Sequence, residues 1–163
     1  QPAECPVASF AATALNTLAR VLGSQHRLRP VLKTSGVNQI DAALAAPVAA
    51  DAVSPAILGI GMPTGVAGPQ LRMAVQKMGR TTEITQGVIV QVDVTVNVEY
   101  AGKTARFTDQ AIATYMSAPG DSGSAILDMD RKVVGLLFAG SGNVTIMTPI
   151  ATVLSHFGGE AAT

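Results

Sequence analysis

The run from Gly87 to Tyr100 sets the first limit on what this chain can fold into. Val88, Val90, Val92, Val94, Val96 and Val98 recur at every second position, with mostly polar residues between them toward the end. Side chains of a strand point alternately to opposite faces, so a period of two reads as a strand with one buried face. Ala101-Gly102-Lys103 turns the chain, and Thr104 to Thr114 continues on the far side. Two such runs joined at a glycine predict a hairpin. Shorter strand signals surround it at Ala74 to Met78, Ala125 to Leu127, Val133 to Gly140 and Asn143 to Thr148. Asp128 to Arg131 supplies a turn between the second and third of these. Pro149 opens a predicted helix over Ile150 to Phe157, because proline suits the first helical turn, and Gly158-Gly159 ends it. The expected class is all-β with one terminal helix.

The first part of the chain is less regular. Val7, Phe10, Ala14, Leu18 and Val21 recur at helical spacing, with Ala11, Leu15 and Leu22 beside them, and the pattern by itself predicts a helix over residues 6 to 22. His26 to Lys33 alternates polar and apolar residues, as an edge strand does. Asp41 to Ala50 is Ala-rich and passes for a short helix, with Asp41 as its N-cap. Ala52 to Pro69 is rich in Pro and Gly and reads as a connection. The expected boundary lies near Pro69, dividing the chain into residues 1–68 and 69–163.

Composition excludes several functions. Lys plus Arg and Asp plus Glu both number 11, so no global field draws nucleic acid or a membrane surface. Only 4% of residues are aromatic and none is Trp, which disfavours a base-stacking platform. No apolar run is long enough to span a bilayer. With 48% hydrophobic and 13% charged residues, the chain is expected to bury much of its surface, in part against another polypeptide. Cys5 has no internal partner, and either pairs with a second chain or stays a thiol. Two isolated histidines and one cysteine lack metal-ligand spacing, and Asp128 and Asp130 lack the other ligands of a calcium loop. Gly59-Ile60-Gly61 lacks the rest of a dinucleotide fingerprint and is a turn. No metal or cofactor is expected. The start at Gln1, without a charged segment and an apolar stretch behind it, suggests a processed product or a fragment.

Chemistry concentrates in Gly120-Asp121-Ser122-Gly123-Ser124. A glycine two residues before a serine lets the backbone turn sharply, so that the N–H groups of Gly120 and Ser122 can face one point. Such a pair is an oxyanion hole, and the serine beside it a nucleophile for acyl transfer. The bare motif is common in turns, but here strands flank it on both sides.

This stretch, the strand Val133 to Gly142 and the segment Lys77-Met78-Gly79-Arg80-Thr81-Thr82 together resemble the C-terminal half of a trypsin-like (chymotrypsin-fold) serine peptidase of bacterial type. Asn38 to Ala45 is similar to the segment carrying that family's triad aspartate. The resemblance spans roughly residues 31 to 157. It implies a chymotrypsin-like double β-barrel with an incomplete first barrel. It implies a strand around Thr17 to Leu22 and a strand leaving Asp41. It implies Ser122 as nucleophile, Gly120 and Ser122 as oxyanion donors, and Asp41 as the carboxylate that orients the base. The specificity pocket would be lined by Met116 to Ala118, by Phe138, Ala139, Gly140 and Ser141, and by Asn143 to Thr145. None of these is charged, so a small or apolar residue is expected before the scissile bond. Met116 reads equally well as core filler.

The base is missing. His156 follows Ser122 on the predicted last helix. His26 precedes Asp41, as the family's order requires, but sits in Gln-His-Arg with too little chain before Asp41, and reads as a loop residue. The expectation is therefore a serine endopeptidase fragment whose N-terminal part supplies the histidine, held to that fragment or to copies of itself by apolar strand edges. A catalytically silent binding or assembly module, and an esterase using the same site, are the alternatives. Asp121 is expected to be held by local N–H groups, and Arg80 to bridge the hairpin to the nucleophile loop.

Overall fold

The alternating run forms the longest strand, β4, Glu83–Tyr100, and returns through Gly102 into β5, Lys103–Thr114. Gly102 has φ +79°, a left-handed conformation glycine adopts without a Cβ clash. A computed structural model describes residues 6–23, 36–100 and 102–160 of the chain. The β4/β5 ladder is regular from Val96↔Phe107 to Tyr100↔Lys103, then shifts register between Ile89 and Gln91, Gln91 and Val94, and Val94 and Val96. Asp93 and Asp109, at φ 54° and 60°, lie in this irregular part. Bulges increase twist and bend a strand, which lets one hairpin wrap around a barrel.

Four more strands complete it: β3 (Ala74–Gly79), β6 (Ala125–Asp128), β7 (Lys132–Gly140) and β8 (Val144–Pro149). β3 pairs with β4, β4 with β5, β5 with β8, β8 with β7, β7 with β6, and β6 with β3, all antiparallel. The pairings run through six strands and return to the first. Val75, Ile89, Ala111, Ala113, Met116, Ile126, Val134, Leu137 and Met147 form the buried cluster inside. The C-terminal helix, Ile150–Phe157, lies where the sequence predicts it and ends at Gly158, φ +64°. Ile150 and Val153 of that helix pack with Leu127 and Val133 in a second cluster.

Residues 37–68 join this unit. β1 (Val37–Asn38) pairs parallel with β5, and β2 (Gly65–Val66) parallel with β7. Ile40, Ala42, Ile57 and Ile60 pack against the second cluster. The chain divides into the units Gln1–Gly36 and Val37–Thr163, so the boundary expected near Pro69 falls inside the second.

Two expectations drawn from the resemblance are corrected here. Thr17 to Leu22 is not a strand: α1 runs Pro6–Val21, as the helical spacing of its apolar residues dictates. Asp41 to Ala50 is neither the strand nor the short helix expected. It is irregular up to a single 3-10 turn at Ala50–Ala52, with Leu44 and Val48 exposed. His26, the edge-strand residues up to Lys33, and Cys5 lie outside the described residues. No helix among the described residues is long and apolar enough to cross a membrane.

Candidate active site

Gly120-Asp121-Ser122-Gly123-Ser124 links β5 to β6 and is tied to β7 by two backbone bonds, Gly123 N–H to Leu137 O at 2.7 Å and Leu137 N–H to Ser124 O at 3.0 Å. Gly120 has φ +102° and Gly123 φ +89°. At these values an L side chain is strained, which explains glycine at both ends of the turn. Among the described residues, the N–H groups of Gly120 and Ser122 donate to no protein acceptor. Ser122 is exposed, and its hydroxyl donates to the Phe138 carbonyl at 3.4 Å.

Asp121 points the other way, into the barrel, with 1% of its surface exposed. Oδ1 accepts from the N–H groups of Thr81 at 2.7 Å and Thr82 at 3.2 Å. Oδ2 accepts from the Thr82 hydroxyl at 2.6 Å and the Ala118 N–H at 3.0 Å. Lys77 Nζ lies 3.3 Å from Oδ2 and is itself wholly buried. Burial alone would raise the carboxyl's pKa; the bonds from Thr82, Ala118 and Thr81 outweigh it and hold the group well below the usual carboxylate range. The expected local N–H groups are thus present, and the buried lysine is an addition the sequence reading missed. Its signal was there: Val75, Lys77 and Gly79 share the inward face of β3, so a cation at that phase needs a buried anion. Gly79 admits the carboxylate, since a Cβ there would collide with it. Arg80 does reach the loop, its guanidinium lying against Gly120.

An open cleft of about 450 Å³ runs beside Ser122. Ser117, Ala118 and Pro119 form one wall and Leu137 to Gly142, with Phe138, Ala139, Gly140 and Ser141 among them, another. Met116 does not line it: its side chain is 3% exposed and belongs to the barrel core, where β5 ends and the inward phase is still apolar. Behind Ser117, the buried Thr145 hydroxyl lies 2.8 Å from the Ser117 hydroxyl. Val98, Glu99 and Tyr100, at the end of β4, and Tyr115, just after β5, complete the lining.

Asp41 reaches this region through Tyr100, whose hydroxyl donates to Asp41 Oδ2 at 2.6 Å. Asp41 is exposed, in a segment that is neither helix nor strand. Desolvation first, then the Asp41 bond and charge, push the Tyr100 hydroxyl's pKa above its ordinary value. The Tyr100 ring lies 6.4 Å from Phe107, which lies 5.0 Å from Phe138, whose carbonyl receives the Ser122 hydroxyl. His156 is exposed on the C-terminal helix and lines a separate hollow with Val37, Gln39, Ile40 and Thr108. Among the described residues no cluster of His, Cys, Asp and Glu is arranged to hold a metal.

Comparison with known proteins agrees with this geometry. Residues 24–156 match the trypsin family profile. Protease A of Thermobifida fusca is 29% identical with a TM-score of 0.55, over 63% of this chain and 55% of that one. The chymotrypsin of Cellulomonas bogoriensis is 26% identical with a TM-score of 0.54, over 63% and 56%. A glutamic-acid-specific serine protease is 28% identical with a TM-score of 0.52, over 66% and 61%. The match thus spans between half and two thirds of these neighbours' length. No curated protein matches the chain. The fold is a chymotrypsin-type β-barrel, and the chain belongs to the trypsin family.

Proposed function

We propose that this chain carries the nucleophile half of a serine endopeptidase. The observation that carries the reading is the pair of unengaged N–H groups at Gly120 and Ser122 beside an exposed hydroxyl, at the mouth of a cleft. In this reading an imidazole, supplied by an N-terminal part of the same precursor, takes the Ser122 proton as Oγ attacks the substrate carbonyl. The oxyanion is held by the Gly120 and Ser122 amides. The imidazolium returns its proton to the departing amine, leaving the acyl group on Ser122 for water to remove. Asp41 exchanges the Tyr100 hydroxyl for the imidazole N–H and fixes its orientation. The deeper walls, Ser117, Leu137, Phe138 and Ala139, are uncharged and suit a small or apolar residue before the scissile bond.

A fluorophosphonate probe tests the reading on the precursor. Ser122 becomes labelled, and Ser122→Ala abolishes the label. A silent binding module shows no label in any assembly, and an esterase shows label and ester turnover without peptide cleavage.

A further inference from the structure

Arg80 occupies the turn between β3 and β4, and the chemistry above leaves it unused. It is exposed, and among the described residues no carboxylate pairs with it. Its place is nevertheless defined. A Cβ built on Gly120 would meet Arg80 Nη2 at 2.5 Å and Thr81 Oγ1 at 2.5 Å. The guanidinium therefore rests against the residue that offers one of the two oxyanion amides. Thr81 is fixed by its hydroxyl bond to the Pro119 carbonyl at 2.9 Å and its N–H bond to Asp121. The clamp that shapes the nucleophile loop thus also places the cation.

The cleft shows which part of a substrate meets Arg80. Neither Gly120 nor Arg80 lines it; Ser122 and the residues just before Gly120 do. A peptide whose side chain enters the cleft, with its carbonyl aimed at the Gly120 and Ser122 amides, sends its leaving half away from the cleft. Arg80 rests against Gly120 outside the lining of that cleft, the side left to the departing half. Among the described residues that line the cleft, only Glu99 is charged, and it repels a carboxylate on the acyl side. Resting on the peptidase reading, we propose that Arg80 is a specificity-determining residue for the leaving half of the substrate. It pairs with a carboxylate there, from an acidic side chain just after the scissile bond or from the peptide's own C-terminus. The planar guanidinium fork matches a carboxylate with two parallel bonds, and among the described residues no acceptor engages it.

Binding to the Ser122→Ala chain tests this without catalysis. Three peptides share one sequence and an N-terminal fluorophore. The first has Glu after the scissile position and an amidated end. The second has Gln there and a free C-terminus. The third has Gln and an amidated end. Anisotropy should show the first or the second binding about fivefold tighter than the third, the scale of an exposed ion pair, and the tighter one identifies the source of the carboxylate. The advantage vanishes in Arg80→Gln and reverses in Arg80→Glu, while the third peptide binds unchanged. An acidic preference that survives Arg80→Glu, equal binding of all three peptides, or binding of none overturns the proposal. Loss of fluorophosphonate labelling at Ser122 would instead sink the peptidase reading, because that probe carries no leaving peptide.

Discussion

Asp121 and Asp41 are both carboxylates beside the same cleft, and they are held in opposite ways. Asp121 is buried, accepts four hydrogen bonds from three residues, and faces a buried lysine. Asp41 is exposed, in a segment without helix or strand, and accepts one side-chain bond from a tyrosine that is itself 40% exposed. Charged hydrogen bonds in a low-dielectric interior are strong, and their loss is costly; the same contacts at the surface compete with water. The half of the site that would form the acyl bond is therefore built by the barrel itself. The half that would orient a base rests on a contact water can replace. The nucleophile loop takes its shape from the barrel's own residues, whereas Asp41 is held by the Tyr100 hydroxyl.

Breaking the stronger side should have the largest effect. Lys77→Met leaves Asp121 as a buried anion without its cation, and removal of one member of a buried pair costs roughly 3–5 kcal/mol. Urea unfolding monitored by circular dichroism measures it. Replacing both, with Lys77→Met and Asp121→Leu, removes the unpaired charge but leaves the donors of Thr81, Thr82 and Ala118 without their acceptor, so stability should stay well below the parent's and fluorophosphonate labelling in the precursor should be lost. Acid gives a second route to the same pair. The folded-state pKa of Asp121 is depressed, so its contribution is full above the ordinary carboxylate range and is lost as pH falls below about 4. Stability should decline in that window, and the decline attributable to Asp121 should be absent in the double variant. A parent and a double variant with superimposable acid profiles would remove Asp121 from the account.

The contrast also explains what could be read in advance. The β4/β5 hairpin, the strands on either side of the nucleophile loop and the last helix were legible because each has a period, a turn residue or a proline that acts locally. So was the turn at Gly120 to Ser124, whose glycines answer to positive φ. Lys77 was legible in principle, from the phase of β3, but its partner is 44 positions away in sequence and only the barrel brings them together. Tyr100 was hidden for the same reason: Asp41 finds it across the sheet, where β1 lies beside β5 and β5 beside β4. α1 shows the reverse case, in which the local helical period was the better guide than the family pattern. Met116 looked like a pocket residue by position and is a core residue by phase.

The smallest effect is expected at Tyr100. Tyr100→Phe removes the hydroxyl that Asp41 accepts but keeps the ring beside Phe107. Both groups are exposed enough for water to replace the bond, so the loss should stay below about 1 kcal/mol in the same urea experiment. Asp41→Asn should cost no more, and should move the Tyr100 ionisation down toward that of an ordinary tyrosine, since the neighbouring charge is one cause of its elevation. Phenolate absorbance during alkaline titration, compared between the parent and Asp41→Asn, reads this directly. If Tyr100→Phe cost as much as Lys77→Met, the Asp41 side would be as firmly built as the nucleophile loop. The asymmetry between the two carboxylates, and with it the reason for an incoming imidazole to displace Tyr100 readily, would then disappear.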